Sequence, residues 1–371
     1  MKIGIDTFFC AHGHSGNGSY LLSLVKQLHA SEDMQYELFG PEIDRFTYIP
    51  GGSKISYCGV NVPDKKTSIR LWHYFRINSL AAKQKYDIIL YPAGIYTAPP
   101  FPRVPGVAVV NDILSEKFSH KHYFWRKIFT MKALKSCAAV IASSEFIRND
   151  LISLGVSEKK IKIIHTGIDH SVFYPHQEFI GTSVLIKPFT IKRPFIIYAS
   201  RIQNSSKKHI ELIKAFSLFK EKTSLPHRLV LAGETAKGLD EIKKAVAESA
   251  YSSDIFITGY FPHEYLPELY SCADACIFPS VIEGVGLSVI EAMASGIPVA
   301  CAKAGGLPEI TGDAAYFFNP DNTEEAADAI NAVVTDNELR EKLIKKGIEW
   351  ADKFSWENTV EQTLGVITQK S

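Results

Sequence analysis

The stretch Ala275-Cys276-Ile277-Phe278-Pro279-Ser280, then Glu283-Gly284-Val285-Gly286-Leu287-Ser288-Val289-Ile290-Glu291, closed by Gly296 and Pro298, decides how this chain folds. Its first six residues are a short apolar run bounded by turn residues, which reads as a strand. Gly284 and Gly286 permit close backbone approach and positive φ, so a loop follows. Leu287, Ile290, Glu291, Ala292 and Ala294 suit a short helix that Gly296 and Pro298 stop. The unit is strand, glycine loop, helix, strand.

The same alternation runs through both halves. Lys2 to Asp6, Tyr36 to Phe39, Asp87 to Tyr91, Gly106 to Val110, Ala139 to Ser143 and Ile161 to Ile164 read as strands of a first domain. Phe195 to Ser200, Arg228 to Ala232, Ile255 to Thr258, Ala275 to Phe278, Pro298 to Ala302 and Ala315 to Phe318 read as strands of a second. Strands separated by helical spacers argue for α/β architecture with two parallel, doubly wound sheets. A chain of 371 residues is long for one domain and comfortable for two. The polar, proline-containing segment from Pro175 to Pro194 is the expected linker.

A glycine loop ahead of a helix offers unpaired N–H groups and a positive dipole end to an anion. Glu283 would stand on that loop and Glu291 on the helix. Carboxylates repel phosphate and accept hydrogen bonds from hydroxyl pairs, so a ligand with sugar hydroxyls at both ends and phosphates between fits the pattern. A plain glycine turn with two solvated glutamates is the other reading. A second loop, His12-Gly13-His14-Ser15-Gly16-Asn17-Gly18-Ser19, follows the first strand, where doubly wound sheets bind ligands. Taken alone, Gly16-x-Gly18 is equally a plain turn, and His12 and His14 are solvated loop histidines. Arg201 and Lys207 follow the strand Phe195 to Ser200. Fixed cations there could neutralise the phosphates of such a ligand without a metal, while solvated surface cations are the alternative.

Leu266-Pro267-Glu268-Leu269-Tyr270, Phe278-Pro279-Ser280, Glu283-Gly284, Glu291-Ala292-Met293-Ala294, Gly296-Ile297-Pro298-Val299 and Leu307-Pro308-Glu309 follow one another in order. With Arg201, Lys207, His209, Gly167-Ile168-Asp169 and Phe354-Ser355-Trp356, this set resembles the family-4 retaining glycosyltransferases of GT-B fold. The resemblance implies two Rossmann-like domains facing across a cleft. An acceptor-binding domain would cover 1–180, joined by a C-terminal helix at about 356–371, and a nucleotide-sugar donor domain 190–355. It further implies that Glu283 holds donor-sugar hydroxyls, Glu291 the ribose diol, Arg201 and Lys207 the diphosphate, and backbone around Gly259-Tyr260-Phe261 the base. Gly284, Val285, Gly286 and Leu287 would line the donor, and Gly16 and Gly18 would approach it from the first domain. At Asn111 the family commonly has a histidine near the reacting sugar. An amide cannot exchange protons there, so a base role for position 111 is in doubt, whereas same-face transfer with the leaving phosphate taking the acceptor proton survives. Val285 departs from a common aromatic residue.

The implied reaction moves a sugar with retention from a GDP- or UDP-sugar to a hydroxyl of a glycan or lipid-linked acceptor, in surface polysaccharide or glycolipid assembly. No Asp-x-Asp occurs in the chain, so no metal is expected, and no cofactor. A GT-B nucleotide-sugar epimerase and a sugar-nucleotide-binding assembly protein without catalysis are the alternatives, the latter hinted at by Asn111. Six cysteines without Cys-x-x-Cys spacing and no apolar run long enough to span a bilayer lead us to expect a cytoplasmic protein.

Formal net charge is +1, yet residues 1–180 hold 21 Lys+Arg against 15 Asp+Glu and the rest 20 against 25. Lys65 to Tyr86 and Lys117 to Lys135 lack acidic residues and interleave Lys121, Arg126 and Lys127 with Trp72, Phe75, Tyr123, Phe124, Trp125 and Phe129. Such stretches suit an anionic membrane surface or a charged acceptor, or else bury the aromatics and solvate the cations. The balance near zero argues against nucleic acid as a partner.

Overall fold

A computed structural model of the chain describes residues 1–13, 15–28, 34–49, 51–52, 54–119, 124–175, 181–203, 205–236 and 238–370. His14, Lys121 and Tyr123 lie outside the described residues. The chain forms two compact units, Met1–Gly167 with Trp356–Ser371, and Ile168–Ser355.

The first unit contains β1 (Lys2–Asp6), β2 (Gln35–Gly40), β3 (Ser56–Gly59), β4 (Ile88–Tyr91), β5 (Gly106–Val110), β6 (Ala139–Ala142) and β7 (Ile161–Ile163) in one sheet ordered β3-β2-β1-β4-β5-β6-β7. Every pairing is parallel. A parallel sheet needs helices on both faces, which is why β4, β5 and β6 are apolar and buried at every position. Helix Gly16–Gln27 contributes Tyr20, Leu21, Leu24 and Val25 to this core. Helix Trp356–Thr368, although last in the chain, packs Val360, Val366 and Ile367 into the same core and hydrogen-bonds through Thr363 to the Tyr20 hydroxyl at 2.9 Å. Edge strand β3, Ser-Tyr-Cys-Gly, carries no apolar run, so its sequence gives no strand signal.

The second unit contains β10 (Phe195–Ala199), β11 (Arg228–Ala232), β12 (Ile255–Gly259), β13 (Ala275–Phe278), β14 (Val299–Ala302) and β15 (Tyr316–Phe318), ordered β12-β11-β10-β13-β14-β15 and parallel throughout. Much of the expected linker is not linker. Ser183–Ile186 (β8) and Phe189–Lys192 (β9) form an antiparallel hairpin. Val184, Ile186 and Ile191 are buried in the second core while Leu185 is exposed, the period-two signature of a half-buried strand.

Among the described residues no helix is long and apolar enough to cross a membrane, and no group of three His, Cys, Asp or Glu side chains is placed to hold a metal ion. All six cysteines are free thiols.

Candidate functional site

Both sheets change winding direction beside their first strand, between β1 and β4 and between β10 and β13. Loops from adjacent strands diverge there, leaving a crevice at the carboxyl ends. In the second unit, the loop after β10 carries Arg201 and Lys207, and the loop after β13 carries Glu283.

These two loops are stitched together. Val281 N donates to Ser206 O at 2.9 Å, and the buried Ser280 hydroxyl donates to the same carbonyl at 3.3 Å. Tyr198, buried on β10, donates its hydroxyl to Lys207 O at 3.0 Å. With the backbone so held, Lys207 Nζ lies 2.5 Å from Glu283 Oε2, each side chain 17 % exposed. A third loop supports Glu283: Gly306 N donates to its carbonyl at 2.9 Å. Gly305, at φ +60°, leaves no room for a Cβ, which would sit 3.0 Å from Val281 O and 3.1 Å from Glu283 N. His209 braces the loop from below, its Nδ1–H donating to Gln203 O at 3.0 Å, and burial pushes its pKa down to about 4.

Gly286, at φ +63°, starts helix Leu287–Ala294 with its missing side chain facing Ile310, while Gly284 is buried and Val285 and Leu287 are half-buried. Glu291 points inward from that helix and is 6 % exposed. Its Oε1 accepts from His263 Nε2 at 3.3 Å, and this hydrogen bond raises the histidine pKa. The imidazole, itself largely exposed, meets the Phe173 ring edge-on at 5.6 Å. Arg201 is exposed; its carbonyl accepts from the Ser200 hydroxyl at 3.5 Å, while its guanidinium has no hydrogen-bond or ion-pair partner among the described residues. Gly259, the last residue of β12, takes φ +71°; beyond it Tyr260 is 71 % exposed and Phe261 is buried against Phe189 of the hairpin.

In the first unit the loops after β1 and β5 converge. Ser15 caps helix Gly16–Gln27 by accepting from Gly18 N at 3.1 Å, and a Cβ on Gly18 would lie 2.2 Å from Cys10 O. Gly16 meets nothing within 4 Å. Asn111 Nδ2 donates to Asn17 Oδ1 at 3.4 Å, while its own Oδ1 is buried without a partner. His12 is not a freely solvated histidine: its Nδ1 is 2.5 Å from the buried Asp44, and Phe9, Ala11 and His12 all have positive φ.

The structure thus joins Lys207 to Glu283, and Asn111 to the Gly16–Gly18 loop. It pairs Glu291 with His263, not with Arg201 or Lys207. His263, Asn17 and Asp44 escaped the sequence reading, because no local spacing links them to their partners. His263 follows β12, three strands from β13, and reaches Glu291 only through the crossover that returns the chain to the centre of the sheet.

Two family models match the chain: Glycosyltransferase Family 4 over residues 14–172 and Glycosyl transferases group 1 over 186–350. The chain is 30% identical over 380 residues to the O-antigen chain mannosyltransferase B of Escherichia coli, covering 98% of each sequence. Among solved structures it is similar to Anabaena HepE in complex with UDP and glucose, with a TM-score of 0.73, 19% identity and 100% of each chain covered. A sucrose-phosphate synthase from Thermosynechococcus elongatus also gives a TM-score of 0.73 at 19% identity, covering 100% of this chain and 98% of that one. Two parallel-sheet α/β units of this topology make the fold GT-B.

Proposed function

The chain belongs to the family 4, or group 1, glycosyltransferases, and on that premise we propose that it moves a hexosyl group, with retention and without a metal ion, from a GDP- or UDP-sugar to a hydroxyl of a glycan or lipid-linked acceptor in surface-polysaccharide assembly. The second unit takes the donor and the first the acceptor.

The Lys207–Glu283 contact carries this reading. A carboxylate and an ammonium 2.5 Å apart at a sheet's switch point match a ligand whose hydroxyls adjoin its negative charge, as at the junction of a sugar and its diphosphate. Glu283 accepts from the sugar hydroxyls, and Lys207 turns to the diphosphate. In transfer the C1–O bond to phosphate breaks with its electron pair passing to the diphosphate, where Lys207 and Arg201 stabilise it. The acceptor oxygen bonds to C1 from the same face and gives its proton to a phosphate oxygen. Asn111, unable to take a proton, hydrogen-bonds the sugar edge with its unpartnered Oδ1. Glu291 exchanges His263 for the ribose diol. The O-antigen mannosyltransferase relative supports a polysaccharide setting, and the free thiols a reducing cytoplasm.

A thermal-shift panel of nucleoside diphosphates and their sugars tests this. The cognate donor at 100 times its dissociation constant stabilises by roughly 2.7 kcal/mol. If no member of the panel raises the melting temperature, the donor site as drawn is wrong.

A further inference from the structure

We infer that one face of the first unit, made by helices Lys66–Phe75 and Phe124–Ser136 and the segment 98–103, docks on the anionic surface of a lipid bilayer; the inference deepens the lipid-linked acceptor reading and rests on it. Both helices already have a buried side, through Ile69 and His73 in one and Thr130, Met131 and Leu134 in the other. Their aromatic residues divide. Trp72 packs on Phe8 and Phe39, and Phe118, just ahead of the second helix, is buried. Phe75, Phe101, Phe124 and Trp125 instead are 72, 57, 59 and 71 % exposed. Rings of this size left in water forgo about 25 cal/mol for each Å² of apolar surface, so a cluster of them calls for a cover.

The patch is continuous. The Tyr74 ring on the first helix stacks on Phe129 of the second at 5.5 Å, and the Lys132 ammonium lies 3.9 Å from the Phe101 ring centre. Arg70 and Arg126, from the two helices, both sit 5.4 Å from the Tyr96 ring centre between them. A groove of about 540 Å³ follows the second helix, with Phe124, Ile128 and Met131 as apolar wall and Lys127, Lys132 and Lys135 as its cations. Lys65 to Tyr86 and Lys117 to Lys135 contain no carboxylate of their own, and Lys117, at the edge of the second, pairs with Asp112 outside it. Ammonium groups beside an apolar trough suit a phosphate headgroup with acyl chain beneath it, and exposed Trp and Phe suit the headgroup boundary. Charge and apolar surface on one face therefore choose an anionic membrane over a neutral one.

The test is co-sedimentation of the full chain with vesicles of phosphatidylcholine and of an equimolar phosphatidylcholine–phosphatidylglycerol mixture, with soluble polyglutamate as competitor. Binding should be confined to the anionic vesicles, weaken as salt is raised, and fall by roughly tenfold or more in the triple variant K127E, K132E, K135E. Replacing Phe124 and Trp125 by Ser should weaken it without changing the melting temperature, since both are exposed. No binding, equal binding to both vesicles, or an unaffected triple variant would overturn the inference; polyglutamate, a polyanion competing for the same lysines, should lower binding as salt does. Vesicle binding needs no donor. Its absence beside an intact nucleotide-induced thermal shift sinks this inference alone, and the converse sinks the donor reading alone.

Discussion

The two units share a topology but furnish the same place in it differently. At the switch point of the second stand opposite charges in contact, Lys207 with Glu283, and the same unit pairs His263 with Glu291. The corresponding crevice of the first holds two neutral amides, Asn17 and Asn111, beside a glycine loop closed against Cys10. Topology decides where a ligand is met, and the side chains decide which end of it. Under the proposed function, the charges would serve the departing diphosphate and the amides would hold only a sugar edge.

That contrast predicts unequal losses. Lys207→Ala should lower transfer by about 10²–10³-fold with the fold intact, by removing a cation aimed at developing charge. Steady-state kinetics giving a near wild-type rate would remove Lys207 from the chemistry. Glu291→Ala deletes a charged hydrogen-bond acceptor, and nucleotide binding by calorimetry should weaken about tenfold to a hundredfold. On the first unit's side, Asn111→Ala removes only neutral hydrogen bonds and should cost less than about tenfold in rate. A loss there as large as that of Lys207→Ala would erase the distinction between the two crevices.

The glycines sharpen the comparison through stability. Gly18→Ala forces a Cβ to 2.2 Å from a carbonyl oxygen and should cost about 2–3 kcal/mol, while Gly16→Ala, with open space around it, should stay within about 0.5 kcal/mol. Equal melting temperatures for the two variants would contradict the packing described for that loop.

The smallest effect concerns pH. The hydrogen bond to Glu291 raises the His263 pKa above its ordinary 6.5. The stability contributed by this pair is therefore present in full below that ordinary value and is lost as pH rises through the raised one. Because the pair occupies the carboxylate proposed to bind ribose, nucleotide affinity should rise over the same interval. In His263→Gln that slope should vanish, and its persistence would assign the pH dependence to another group.

Apolar runs between turn residues reported strands whose strength is local, so β1, β5, β11 and β13 were legible to the residue. The hairpin β8–β9 was hidden because only four residues a side alternate, around Lys187-Pro188, in a segment whose prolines and polar residues look like a tether. Buried contact with the second core makes it a strand pair.

The order of residues along the chain determined by itself the two α/β units, the glycine loops and the residue types available for chemistry, because period, turn propensity and charge are properties of neighbours. Which acid meets which base was decided only in three dimensions. Glu283 finds Lys207 across 76 positions because β10 and β13 lie side by side, and Glu291 finds His263 because a crossover brings the chain back. Contact at hydrogen-bond range depends on strand order and loop packing, which no local stretch of sequence encodes.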